Sequence, residues 1–253
     1  MNSAIAEVRG ALDGKAYDGQ WARIDDFILH HPGARHRRRI IFNLINRTKA
    51  KNLLDVGCGN GELISLIHDR FPNIQLHGVD LSPAVVEQNR QRFPYSRFEV
   101  LDIESETLDR QYELVVTSEV IEHLNDRSTA LKNMAEMVHP GGNLLISAPA
   151  GRVFETERRW GHTTHPTIGE LTKFANASGL RIEYLANWGF PFYYALKFAT
   201  NLNADWAMSS FGNGAYSGAQ RALCDVLYRF NFLNLPSSPW GCQLFCLLRK
   251  PEV

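Results

Sequence analysis

From Asn52 to Trp188, short apolar runs alternate with segments whose apolar residues recur every three or four positions. "NLLDVG" is apolar up to its acid and predicts a buried strand. "GELISLIHDRF" sets Leu63, Leu66, Ile67 and Phe71 along one face and predicts a helix. "IQLHGVD" predicts a second strand. Ser82-Pro83 then supplies a capping hydroxyl and a proline at the first helical position, opening a helix to about Arg92. "RFEVLD" and "YELVVTSE" predict a third and a fourth strand, and a helix from Arg127 to Val138 is stopped by "HPGG". "NLLISAP" predicts the fifth strand, "IGELTKFANASG" a helix ending at Gly179, and "LRIEYLANW" the sixth strand. Such alternation predicts an α/β fold, a parallel sheet with helices on both faces.

Two regions leave this rhythm. Residues 1–50 predict helices, one of them around "ARHRRRIIFNLINR", whose run Arg37 to Arg39 reads most plainly as a solvated helix face. Residues 189–241 separate the sixth strand from a final strand, "QLFCLLRK", and carry twelve aromatic residues from Phe190 to Trp240. Long insertions in compact domains are usually lids or binding elements.

Composition narrows the class only modestly. The chain has 253 residues, 27 basic and 27 acidic side chains, and no formal net charge. That balance argues against a bulk nucleic-acid binder, and no nucleic-acid partner is expected. Cys58, Cys224, Cys242 and Cys246 form no C-x-x-C pair, so neither a disulfide framework nor a zinc pattern is readable. The first twenty residues lack a signal-peptide layout, and no apolar run is long enough to span a bilayer, so a cytoplasmic chain is expected.

The candidate chemistry begins at "LLDVGCGNGE". Gly57, Gly59 and Gly61 form a strand-to-helix turn, but Glu62 stands where a dinucleotide fingerprint has its third glycine. A carboxylate in the first helical turn is a poor neighbour for a pyrophosphate, because helix N-termini attract anions and this one brings its own. Asp55 adds a second acid. An adenosyl cofactor carrying an ammonium and a sulfonium fits better. Asp80, about twenty residues on, stands where a ribose-binding acid is found in doubly wound sheets. With Asp102 and Glu119, four strand ends carry acids at one crevice.

Together "LLDVGCGNGE", "GVDLS", "VLDIE", "VVTSEVIEHL" and "HPGGNLLISAP" resemble the class I S-adenosylmethionine-dependent methyltransferases, over residues 50–188 and the last strand. The resemblance implies a Rossmann-like seven-stranded sheet with its last strand antiparallel. It implies that Asp55, Gly57, Cys58, Gly59 and Gly61 hold the methionine end of S-adenosylmethionine. Asp80 would take the ribose, Leu81 would pack on the adenine, Asp102 and the Ile103 backbone would read its amine edge, and Ser118 and Glu119 would flank the methyl group. S-adenosylhomocysteine would be the product.

The fourth strand ends in "TSEVIEH", without the Asn/Asp-Pro-Pro-aromatic motif of enzymes acting on planar amines and amides. "EVIEH" resembles ubiquinone-pathway O-methyltransferases. It also matches part of the metal-binding segment of small-RNA 2′-O-methyltransferases, but Leu124 stands in place of their second histidine, and no metal is expected. "WGHTTHPTIGEL" resembles an acceptor-side loop of small-molecule members, with Thr164 where Arg is usual. His162, His165 and His123 are the candidate general bases. The expectation is a small-molecule methyltransferase acting first on oxygen, hydroxyl or carboxyl, of an apolar or aromatic acceptor, with nitrogen or carbon acceptors next, and with an RNA or glycan enzyme and a non-methylating cofactor binder as rivals. Residues 51–188 and 242–250 would form the core, residues 1–50 an N-terminal helical cap, and residues 189–241 a substrate lid.

Overall fold

The computed structural model describes residues 25–211 and 215–252; the helices expected ahead of residue 25 lie outside the described residues. Seven strands form one sheet in the order β3-β2-β1-β4-β5-β7-β6. They are β1 (Asn52–Val56), β2 (Gln75–Asp80), β3 (Arg97–Val100), β4 (Tyr112–Ser118), β5 (Val138–Pro149), β6 (Arg181–Trp188) and β7 (Gln243–Arg249). β1 runs parallel to both β2 and β4, with Leu53 opposite Leu76 on one side and Leu114 on the other. β7 lies antiparallel between β5 and β6. The order reverses between β1 and β4. Their carboxyl ends, with those of β2 and β5, therefore open onto a switch-point crevice, where open α/β sheets bind ligands.

Burial alternates along the strands as the pleat requires. Leu244, Cys246 and Leu248 of β7 join one core layer, beneath α5 (Arg127–Glu136) and α7 (Ile168–Ala177). Phe245 and Leu247 join the other layer, beneath α2 (Pro32–Thr48) and α3 (Glu62–Arg70). In α3 the buried residues are Ile64 and Ile67, not Leu63 and Leu66, so the face in contact is rotated from the one the spacing suggested. Helix α4 (Pro83–Arg92) opens as expected, Ser82 accepting a hydrogen bond from the Val85 amide at 3.2 Å.

One boundary is corrected. Helix α5 ends at Glu136, and β5 already begins at Val138. "HPGG" is a strand irregularity rather than a stop: Gly141 takes φ 76° and donates to the Lys250 carbonyl, and the β4–β5 register shifts between Tyr112 and Leu114. The extra residues are absorbed as a bulge.

The insertion is helical, comprising α8 (Phe192–Thr200), α9 (Ala204–Phe211) and α10 (Gly218–Phe230), and two short helices flank the rest: α1 (Asp25–His30) and α6 (Glu155–Arg159). It packs on α2. His36 lies 5.1 Å from the Phe232 ring, Arg35 lies over the Tyr228 ring at 4.2 Å, and Asn231 donates to the Pro32 carbonyl at 3.1 Å. Of its aromatics Tyr193 and Tyr216 are buried, while Phe198, Trp206, Phe230, Phe232 and Trp240 stay largely exposed. Among the described residues no helix is long and apolar enough to cross a membrane.

Candidate functional site

The glycine turn is held from below and from the side. The amides of Gly57 and Cys58 both donate to the Val79 carbonyl, at 2.8 and 2.9 Å. Gly57 has φ 74°, and a Cβ there would lie 2.4 Å from Val120 Cγ2, so only glycine fits. The Gly59 amide donates to Asp80 Oδ2 at 2.9 Å, and the Gly59 carbonyl accepts from Asn89 Nδ2 at 2.7 Å. Asn89, buried on α4, is part of the cradle that sequence reading missed; its polar side chain amid buried neighbours was the available signal. Gly61 is the residue before α3, at φ 74°. Cys58 is buried and its thiol is pushed well up by burial, so it serves as packing rather than as a nucleophile.

The acids sit where the sequence placed them, with unequal surroundings. Asp55 is 2% exposed, and its Oδ2 has no hydrogen-bond partner. Burial, and secondarily the charge of Asp80, raise its carboxyl to about 7. Asp80 ends β2, and its Oδ1 accepts from the Ser82 amide at 3.0 Å. Leu81 beside it is 45% exposed, an open apolar face at the crevice. Asp102 accepts from the Glu104 amide and the Ser105 hydroxyl, while the Ile103 carbonyl accepts from Asn133 at 2.8 Å.

Glu119 follows Ser118 at the end of β4 and is one of two described non-glycine residues with positive φ, 60°. Such a conformation costs on the order of 1 kcal/mol and clusters at functional sites. Two side chains hold its carboxylate: Arg37 Nη1 at 2.7 Å and Gln243 Nε2 at 2.8 Å. The basic run on α2 is thereby corrected. Arg37 is 18% exposed and reaches the strand tips, because the helix turns that position toward the sheet rather than to solvent.

The three candidate histidines meet on the β4–β5 side. His123 closes a single 3₁₀ turn, Ile121–His123, directly after the Glu119 tip. His162 and His165 come from the loop between α6 and α7. The His123 and His162 rings are 4.7 Å apart at 84°, and His162 Nδ1 lies 3.2 Å from His165 Nε2. Burial first, and neighbouring rings second, lower His123 to about 4 and His162 to about 3, so both are neutral imidazoles at pH 7. Thr164, where an arginine was expected, receives one from elsewhere: Arg127 on α5 donates to the carbonyls of Ile121 and Thr164 and to the Thr164 hydroxyl. One guanidinium thus ties the 3₁₀ turn to the loop. Behind them Glu157 pairs with Lys197 of α8, accepts from the Phe154 amide at 2.9 Å, and lies 3.8 Å from His165. Lys197 also sits 5.5 Å from the Phe154 ring centroid.

The residues present fit a cationic adenosyl group. A buried carboxylate oxygen lacks a partner, and the cradle above it has no room for a side chain.

A family profile described as a methyltransferase domain matches residues 33–205. The trans-aconitate 2-methyltransferase of Methylobacterium radiotolerans is 34% identical over 105 residues, 42% of this chain and 40% of that protein. The malonyl-[acyl-carrier protein] O-methyltransferase of Priestia megaterium is 30% identical over 157 residues, 61% of this chain and 55% of that protein. The chain thus spans about half the length, or less, of these curated relatives. The crystal structure of N-methyltransferase NodS from Bradyrhizobium japonicum, in complex with S-adenosyl-L-homocysteine, superposes with a TM-score of 0.61 at 20% identity. The match covers 96% of this chain and 100% of that one.

Proposed function

The chain belongs to the methyltransferase domain family, and from that premise we propose that it transfers the methyl group of S-adenosylmethionine to an oxygen of a small-molecule acceptor. The observation that carries this reading is the acidic glycine cradle at the strand tips, with Oδ2 of Asp55 unpartnered beneath it. When bound, the cofactor supplies an electrophilic methyl group on sulfur. The chain's part is to seat that group, align the acceptor behind it, exclude water and accept a proton.

The residue roles follow from place and charge. Asp80 would hold the ribose hydroxyls, Leu81 would cover the adenine face, and Asp102 with the Ile103 backbone would meet the adenine amine. Gly57, Cys58, Gly59, Gly61, Asp55, Ser118 and Glu119 would surround the methionine end, whose ammonium suits the acids. Its carboxylate requires a donor, and Arg37 offers a guanidinium at the same edge. His123, His162 and His165 would face the acceptor, and as neutral imidazoles they are able to take a hydroxyl proton. The relatives named O-methyltransferase support oxygen as the acceptor atom. Phe154 and Tyr194, with ring centroids 6.0 Å apart, together with α2 and the insertion, would wall the acceptor side.

The test is product mass. The chain is incubated with S-adenosylmethionine and a panel of phenols and carboxylic acids, and the products are read by mass spectrometry. A methyl ether or ester in at least one class, formed with S-adenosylhomocysteine, is expected. Cofactor consumption with no methylated second molecule would favour non-methylating chemistry.

Asp55 provides a pH test. Its raised value means that the folded chain keeps a proton that the unfolded chain releases above pH ~4. This stabilising difference is full below that pH and is lost as the pH rises through about 7. A cationic ligand favours the ionised carboxylate, so binding expels the proton. Affinity for S-adenosylmethionine is therefore expected to be roughly tenfold weaker at pH 6 than at pH 8. Calorimetry across that range checks it, and Asp55→Asn should flatten the profile.

A further inference from the structure

We propose that Glu122, His123 and His162 form a binding site for one divalent transition-metal ion of the zinc class. Each of the three offers a ligand atom, and the three atoms lie within 4.8 Å of one another. The spacing along the chain hides this set, because His162 is far from "EVIEH" and reaches it only through the loop that Arg127 ties down.

A second, independent observation points to a cation. Glu122 is 2% exposed, and neither of its carboxylate oxygens has a hydrogen-bond partner. A buried unpaired carboxylate costs several kcal/mol, and protonation would leave its new O–H without an acceptor. The two guanidinium groups whose charge reaches Glu122 make their hydrogen bonds and ion pairs elsewhere: Arg37 binds Glu119, and Arg127 holds Ile121, Thr164 and, at 3.7 Å, Glu170. A metal ion bound to one of these oxygens supplies the positive partner that the carboxylate lacks.

A neighbouring trio, Glu157, His162 and His165, has similar spacing. There, however, Lys197 already neutralises the carboxylate. The shortage of positive charge is at Glu122. In the metal-loaded chain His123 and His162 are ligands and no longer the proton acceptors of the metal-free site, and His165 has a supporting role. With the shared proton on Nδ1 of His162, donated to His165 Nε2 at 3.2 Å, the Nε2 of His162 keeps a free lone pair. Metal-bound imidazoles ordinarily make such a hydrogen bond through the other ring nitrogen. Two imidazoles and one carboxylate suit zinc, and also iron or nickel, better than magnesium or calcium, which prefer oxygen throughout. Three protein ligands leave a position open, the arrangement of catalytic rather than structural zinc sites. An acceptor hydroxyl or carboxylate oxygen is the chemical class that would fill it.

This inference goes beyond methyl transfer and is tested without it. The chain is stripped with a chelator, reloaded with Zn2+, freed of excess by gel filtration, and its metal content is measured beside a calorimetric Zn2+ titration. One zinc per chain and a rise in Tm are expected. Glu122→Gln keeps the shape and removes the charge, and His162→Ala removes a loop ligand; each should weaken binding roughly a hundredfold. His139→Ala, an exposed histidine on β5, should bind as the parent does. If Glu122→Gln fails to fold by circular dichroism, His162→Ala decides. No zinc retained by the parent chain, or equal retention by His162→Ala, overturns the site. S-adenosylhomocysteine binding measured on the same preparations separates that failure from a failure of the methyltransferase reading.

Discussion

Asp80→Ala is expected to weaken S-adenosylmethionine binding by about 150-fold while the chain remains folded. The carboxylate stands at the junction of three elements: it ends β2, holds the glycine turn through the Gly59 amide, and steadies the start of α4 through the Ser82 amide. Ribose hydroxyls would meet an acceptor already fixed in place. Hydrogen bonds to a charged group are worth about 1.5–3 kcal/mol each, so two of them give ~3 kcal/mol or more, and every 1.4 kcal/mol is tenfold. Asp80→Asn, which keeps one acceptor oxygen, should fall between. Calorimetry with a parallel thermal melt distinguishes lost binding from lost structure. The substitution also removes a charge that raises Asp55, so the pH dependence of the remaining binding should move to lower pH.

Lys197→Met is expected to cost ~3 kcal/mol or more in stability, a Tm lower by roughly 6–12 °C in a chain of this size. Lys197 and Glu157 are each 12% exposed and pair with one another. Removing the ammonium leaves the carboxylate largely buried without its counter-charge, which is costlier than removing both groups. The double variant Lys197→Met with Glu157→Gln should therefore recover much of the loss. Glu157 also caps α6 through the Phe154 amide and lies beside His165, so the single variant should loosen the histidine loop as well. Chemical denaturation of the four chains of this cycle measures both effects. An additive cycle would show that the pair is not coupled.

What could be read from the sequence was whatever local pattern determines. Apolar runs ending in acids located β1, β2 and β4 and put Asp55, Asp80 and Glu119 at their tips, because a parallel strand ends where its buried run ends. The glycines were legible for the same reason: Gly57 tolerates neither a side chain nor a right-handed backbone. Orientation about a helix axis was not legible. Three consecutive arginines look alike in sequence, and only the packing of α2 on the sheet turns Arg37 inward. Nor do charges distant along the chain announce their partners, as Lys197 and Glu157 or His123 and His162 illustrate. The insertion's aromatics suggested a substrate lid, and how far each would be buried was not legible. Only Tyr193 and Tyr216 are buried and six of the twelve are exposed, since α10 buries only a narrow stripe against α2.

The central claim is that the cradle between β1 and β2 binds an adenosyl sulfonium donor or its thioether product. A calorimetric titration of the full chain with S-adenosylhomocysteine at pH 8 tests this most directly. Saturable binding of one ligand per chain, weakened about 150-fold by Asp80→Ala, is the predicted result. No measurable binding by a folded chain, or binding indifferent to Asp80, would contradict it.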